Sequence, residues 1–173
     1  AGFSRINLDL MYALPGQSPA QAREDIQQAL SMEVEHLSVY QLTIEANTEF
    51  AVRPPPFPDS DQAWDMPEQA VTLLSAGGYQ TYEESAWTRG DPCFHNLNYW
   101  RFGDYLANGA GAHGKLSQQR ETGVVEIQRY WNHRHPKDYL AARTSGEFRG
   151  GQNRVPQEEF VFEYLMNALR LQD

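Results

Sequence analysis

The succession of strand-like and helical sequence in the first half of the chain does most to limit its fold. Residues 5–12 alternate cleanly, with Ile6, Leu8 and Leu10 facing one way and Asn7, Asp9 and Met11 the other. Leu14-Pro15-Gly16-Gln17 then turns the chain. Ser18 followed by Pro19 reads as N-cap and first position of a helix to about residue 32, with Ala22, Ile26, Ala29 and Leu30 as its apolar stripe. Residues 36–44, HLSVYQLTI, form a second strand rich in β-branched and aromatic side chains. Asp59 or Ser60 caps the next helix, 61–76, which is expected to bury Trp64, Val71, Leu73 and Leu74, with Met66-Pro67 as a point of division. Gly77-Gly78 ends it, and a third strand opens at Tyr79. This β-α-β-α-β order with helical crossovers predicts a parallel sheet or part of a barrel.

Between the second strand and the second helix, residues 45–58 contain Pro54-Pro55-Pro56 and read as a long crossover loop of the kind that serves as a lid. The chemically richest stretch is 79–114. It starts as a strand with Tyr79, Thr81, Glu83 and Ser85 on one face and Gln80, Tyr82, Glu84 and Ala86 on the other, and breaks at Arg89-Gly90-Asp91-Pro92. Cys93, His95, Asn96, Tyr99 and Trp100 follow, then Gly109-Ala110-Gly111-Ala112 before His113. An imidazole and an amide beside two aromatics suit a flat apolar ligand with a metal or polar handle. The structural alternative has His95 and Asn96 satisfying loop backbone while Tyr99 and Trp100 fill the core. The small-residue run lets backbone approach a neighbour or ligand closely. Farther on, residues 124–131 alternate as a strand, and His133 and His135 form a weak chelating pair that an exposed turn explains better. A short helix is expected over 136–145, and Pro156 starts another over 157–171, with Phe160, Tyr164, Leu165, Ala168 and Leu169 on one face.

Composition removes several classes of function. A net charge of -9 with scattered basic residues argues against nucleic acid as a partner. The single cysteine fits a reducing, cytoplasmic setting, and no apolar run is long enough to span a bilayer. Asp9 is either a carboxylate satisfied by loop amides or a ligand contact at the C-terminal end of a strand, where α/β folds place their sites. Gln41 and Thr43 sit at the corresponding end of the second strand. His36, at the opposite end, reads as a satisfied structural histidine. The entry at Ala1 directly into strand sequence, and the exit at Leu171-Gln172-Asp173 without a stop signal, lead us to expect a piece of a longer chain.

Five blocks occur in order: NLDLMYALPGQ at 7–17, HLSVYQLTIE at 36–45, YEESAW at 82–87, HNLNYW at 95–100 and GAGAHG at 109–114. Together they resemble the radical SAM proteins grouped with oxygen-independent coproporphyrinogen III oxidase, and within that group the heme-chaperone branch. The resemblance implies an α/β fold, a partial (β/α) TIM-like barrel. Residues 1–115 would then be its second half, and 116–173 the start of a helical C-terminal domain. It implies S-adenosylmethionine contacts at Asp9, Met11 and Thr43, and a heme-binding motif at His95, Asn96, Tyr99 and Trp100 with His95 on the iron. It also implies a heme-acceptor protein as partner, and leaves room for a membrane-associated acceptor and for a dimer. The family's CxxxCxxC for a [4Fe-4S] cluster is absent; Cys93 stands alone. Ala13, Asn108 and Gly114 also depart from the family pattern, Ala13 at the turn after the Asp strand. A heme chaperone is therefore the first expectation and an oxidase acting on coproporphyrinogen III the alternative. A third expectation is an inactive fragment that associates or partly unfolds when isolated.

Overall fold

The computed structural model describes residues 2–3, 5–142 and 146–172. The chain gathers into two compact units, residues 1–93 with 171–173, and residues 94–170.

In the first unit, β1 (Asn7–Tyr12) and β2 (His36–Gln41) pair in parallel, joined by α1 (Pro19–Ser31). Ser18 caps α1 as expected, and the Gln21 side chain returns a bond to the Ser18 backbone to complete a capping box. The proline-rich crossover holds one short helix, α2 (Glu49–Val52), that the sequence reading missed. Then α3 (Ser60–Ala76) runs unbroken through Pro67, with Asp59 as N-cap. Its buried face is Met66, Ala70 and Leu74, at four-residue spacing. Trp64 and Val71 lie off this face and are exposed, against expectation.

The largest correction concerns residues 79–88. The single strand expected there is a hairpin, β3 (Gln80–Glu83) and β4 (Ala86–Thr88), paired antiparallel across Glu84-Ser85. β4 inserts antiparallel to β2, which gives the sheet order β1-β2-β4-β3. The sheet is mixed, and the unbroken parallel run of a barrel is not what these strands form. One face, carrying Leu8, Leu10, Leu37, Val39 and Trp87, packs on Ile26 and Ala29 of α1 and on Ala70 and Leu74 of α3. The alternation that buries this face turns Asn7, Asp9, His36, Ser38 and Tyr82 to the other.

The second unit corrects the expected helical domain. Its centre is an antiparallel sheet, β5 (His113–Gln119), β6 (Val125–Asn132) and β7 (Arg149–Val155), in the order β5-β6-β7. Among the described residues, α4 (Phe94–Trp100), α5 (Pro136–Ala141) and α6 (Phe160–Ala168) join it, the last entered through a 3-10 turn, Gln157–Glu159. The expected end of α5, residues 143–145, lies outside the described residues. Along α6, Val161, Phe162, Tyr164, Leu165 and Leu169 are exposed. The central strand supplies the buried Ile127, Tyr130 and Asn132. Gly114, opposite Tyr130, explains one departure from the family pattern: a Cβ there would come within 2.3 Å of the Tyr130 ring.

Candidate functional site

On the polar face of the first sheet, strand pairing assembles a continuous hydrogen-bonded chain. His36 is buried, with Nδ1 2.7 Å from Asn7 Oδ1 and Nε2 2.7 Å from the Tyr82 hydroxyl. Ser38 Oγ donates to the same Asn7 oxygen at 3.1 Å, and Asn7 Nδ2 donates to Asp9 Oδ1 at 2.8 Å. Burial holds the His36 imidazole below its usual proton affinity; nearby Arg5 adds to this, and Asp9 opposes it only in part. His36 is thus the satisfied histidine expected.

Asp9 and Met11 both line a groove of about 370 Å³ along β1, where Asp25, Gln28 and Met32 form the α1 side. β1 is the end strand of the described sheet, so the groove follows a free strand edge. The structure does not bring Thr43 to this groove; it lies exposed past the end of β2, its hydroxyl 3.5 Å from Gln41 O. An exposed carboxylate beside an open groove fits the hydroxyl-rich part of an adenosyl ligand. The [4Fe-4S] cluster does not fit: Cys93 is the sole thiol, and among the described residues no group of three or more His, Cys, Asp or Glu could hold a metal ion. His135 caps α5 instead, with Nδ1 accepting from the Lys137 N–H.

In the second unit, HNLNYW is helix rather than loop. His95 is exposed, and among the described residues neither of its ring nitrogens makes a hydrogen bond. The Tyr99 ring, one turn on, meets the imidazole edge to face at 4.8 Å and 79°. Trp100 is displaced around the helix and lies under Arg170, whose guanidinium is 4.4 Å from the ring centre. The expected aromatic surround of His95 is therefore Tyr99 alone on this helix. Asn96 is half-buried beside it.

Sequence reasoning missed the groups that brace this helix. Tyr105 packs on Tyr99 at 4.5 Å and accepts a 3.1 Å bond from Arg129 Nη1, while Arg129 Nε reaches both oxygens of Glu163. The Glu163 carboxylate raises the proton affinity of Arg129. Asn98 Nδ2 donates to Asp104 O. Lys115 is wholly buried, with Nζ on Phe102 O at 2.8 Å, Asp104 Oδ1 at 3.1 Å and Ser117 Oγ at 3.2 Å. Burial pushes the Asp104 carboxyl up, but bonds from the Ser117 backbone and hydroxyl, together with Lys115, outweigh it and hold the group low. The small-residue run has a local cause: Gly109 turns with φ +101°, and its carbonyl accepts from Asn132 Nδ2.

No family model matches the chain. Across 172 residues it is 50% identical to the heme chaperone HemW of Haemophilus influenzae, covering 99% of this chain and 43% of that protein. The Escherichia coli HemW is 46% identical over 98% of this chain and 43% of its own length. The chain is a homologue of the HemW heme chaperones. It spans less than half the length of these relatives. The Bacillus subtilis HemW is more distant, at 37% identity over 98% of this chain. In fold, the chain superposes on Escherichia coli coproporphyrinogen III oxidase (HemN), a radical SAM enzyme, with a TM-score of 0.75 at 18% identity, over 98% of this chain and 41% of that one. Among the described residues no helix is long and apolar enough to cross a membrane.

Proposed function

We propose that the chain is the heme-presenting part of a longer HemW-type chaperone that works in the cytoplasm, binds heme and transfers it to an acceptor protein. The observation that carries this reading is the exposed His95 imidazole, held by Tyr99 and, among the described residues, without a hydrogen bond at either ring nitrogen. A neutral imidazole with an available lone pair is an ordinary axial ligand for heme iron, and an aromatic wall suits the macrocycle. Heme is cargo in this reading: a site open to solvent binds it reversibly and leaves it accessible to an acceptor.

In the full-length parent, the parallel pair β1 and β2 would belong to a partial (β/α) barrel, with S-adenosylmethionine held at Asp9 and Met11. The [4Fe-4S] cluster of such a parent would take its ligands from sequence outside this chain. Bound there, S-adenosylmethionine would supply a radical precursor; this chain's residues would orient it. The HemW names of the relatives support the chaperone reading over the oxidase one, since the likeness to HemN carries the fold alone.

A heme titration of the chain followed by Soret absorbance, beside His95→Ala, tests the reading. Binding that weakens at least about 100-fold in the variant supports His95 as iron ligand, because the metal bond is removed outright. Equal binding by both proteins returns HNLNYW to a structural role.

A further inference from the structure

The polar chain around His36 settles more than the histidine itself. The Asn7 oxygen receives Ser38 Oγ and faces His36 Nδ1, so the amide turns its NH2 toward Asp9. That orientation requires the imidazole proton on Nδ1. Nε2 is then an acceptor, and the Tyr82 hydroxyl is its donor. The Tyr82 oxygen in turn accepts the backbone N–H of Cys93 at 3.3 Å, and a backbone donor cannot reverse. With a donor at Cys93 and a carboxylate at Asp9, the placement that satisfies each of these bonds puts the imidazole proton on Nδ1.

We propose that His36, acting through Asn7, is a positioning residue for the Asp9 carboxylate, and that Tyr82 selects the tautomer in which it acts. In the other tautomer Nδ1 carries a lone pair and needs the NH2 of Asn7. The amide rotates, and its oxygen then faces a carboxylate oxygen, acceptor against acceptor. A carboxylate on a free strand edge otherwise samples several rotamers. A charge-assisted bond from an amide that is itself held from behind leaves it one. Burial and Arg5 keep the ring neutral, which agrees with this assignment. The consequence for an adenosyl ligand rests on the reading of Asp9 given above; the positioning itself does not.

Two measurements test it. In the isotope-labelled chain, long-range proton–nitrogen correlations read the His36 tautomer, and three-bond couplings read the Asp9 side-chain rotamer. We expect a protonated Nδ1, a bare Nε2 and one Asp9 rotamer; Tyr82→Phe, which keeps the ring and loses the hydroxyl, should mix the tautomers and average the rotamers. A proton on Nε2 in the unaltered chain, or an Asp9 rotamer that Tyr82→Phe and Asn7→Ala leave fixed, overturns the proposal. In the full-length parent, calorimetry with S-adenosylhomocysteine should show about tenfold weaker binding for Tyr82→Phe and Asn7→Ala, as befits a lost bond to a charged group. Asp9→Ala should weaken it further. Loss in Asp9→Ala with none in the other two overturns the positioning role and spares the reading of Asp9. Unchanged binding in Asp9→Ala sinks that reading, and the couplings still decide whether His36 positions the carboxylate.

Discussion

In residues 1–93, Leu37 and Leu74 are wholly buried, clustered with Ile26, Ala70 and Trp87; in residues 94–170 the most enclosed side chain is Lys115. The first interior is held by contacts that have no direction, and any apolar neighbour of the right volume contributes to it. The second is held by donors and acceptors that must meet at set angles: Lys115 with Phe102 O, Asp104 and Ser117, and Arg129 with Tyr105 and Glu163. The apolar interior resists by volume, the polar one by completeness. Removing one partner from the polar interior strands the others, whereas trimming the apolar one leaves a hole.

The largest effect separates them directly. Leu37→Ala should cost about 4 kcal/mol, the sum of lost transfer and a cavity the sheet cannot close. Hydrogen exchange resolved by peptide should show lost protection in β1, β2 and α3. A loss confined below about 1 kcal/mol would mean that the apolar unit is looser than its burial implies. Next, Asp104→Ala should cost about 3 kcal/mol, because it leaves Lys115 buried without its counter-ion. That is the low end for a broken buried pair, since Asp104 is 40% exposed. Lys115→Met, which removes the charge and keeps the volume, should cost much less. Equal losses in urea unfolding of the two variants would break the comparison.

A smaller effect is set by pH. The buried His36 imidazole has its proton affinity lowered in the fold, so between its ordinary value near 6.5 and the lower folded value the unfolded chain binds more protons. The stability this contributes is complete above about pH 6.5 and is lost as pH falls through the folded value. The groups facing the ring are Tyr82 and Asn7, with Arg5 and Asp9 acting through space. Urea midpoints of the unaltered chain should therefore drop more steeply on acidification than those of His36→Gln; parallel slopes would remove His36 from the account. The smallest effect is at Ala13, buried and left-handed at φ +57°. Ala13→Gly relieves about 1 kcal/mol of backbone strain and gives up about 0.8 kcal/mol of methyl burial. The same unfolding measurement should show a shift too small to separate from zero.

Much of the first unit could be read from residues alone. Ser18-Pro19 announced α1, Asp59 announced α3, and the alternation around Leu8 and Leu10 announced β1. The hairpin could not be read, because Glu84-Ser85 carries no glycine, asparagine or proline to mark a turn and the alternation runs straight through it. β5 and β7 escaped for a related reason: HGKLSQQ and RGGQNRV are polar and glycine-rich, and only their pairing with β6 makes them strands. At the candidate site the residue types were visible, but the partnerships were not. Asn7, His36 and Tyr82 stand 29 and 46 positions apart and meet only through strand order. Tyr105 and Arg129 likewise gain meaning only once α4 is placed against them.

The burial of Lys115 also makes the second unit report on itself chemically. The chain has two lysines, Lys115 and Lys137, and only Lys137 is exposed. An amine-reactive acylating reagent should mark Lys137 at once and reach Lys115 only when the unit opens. The ratio of the two marks in a digest, followed over time, would then report how often the unit opens, without a substitution in the chain.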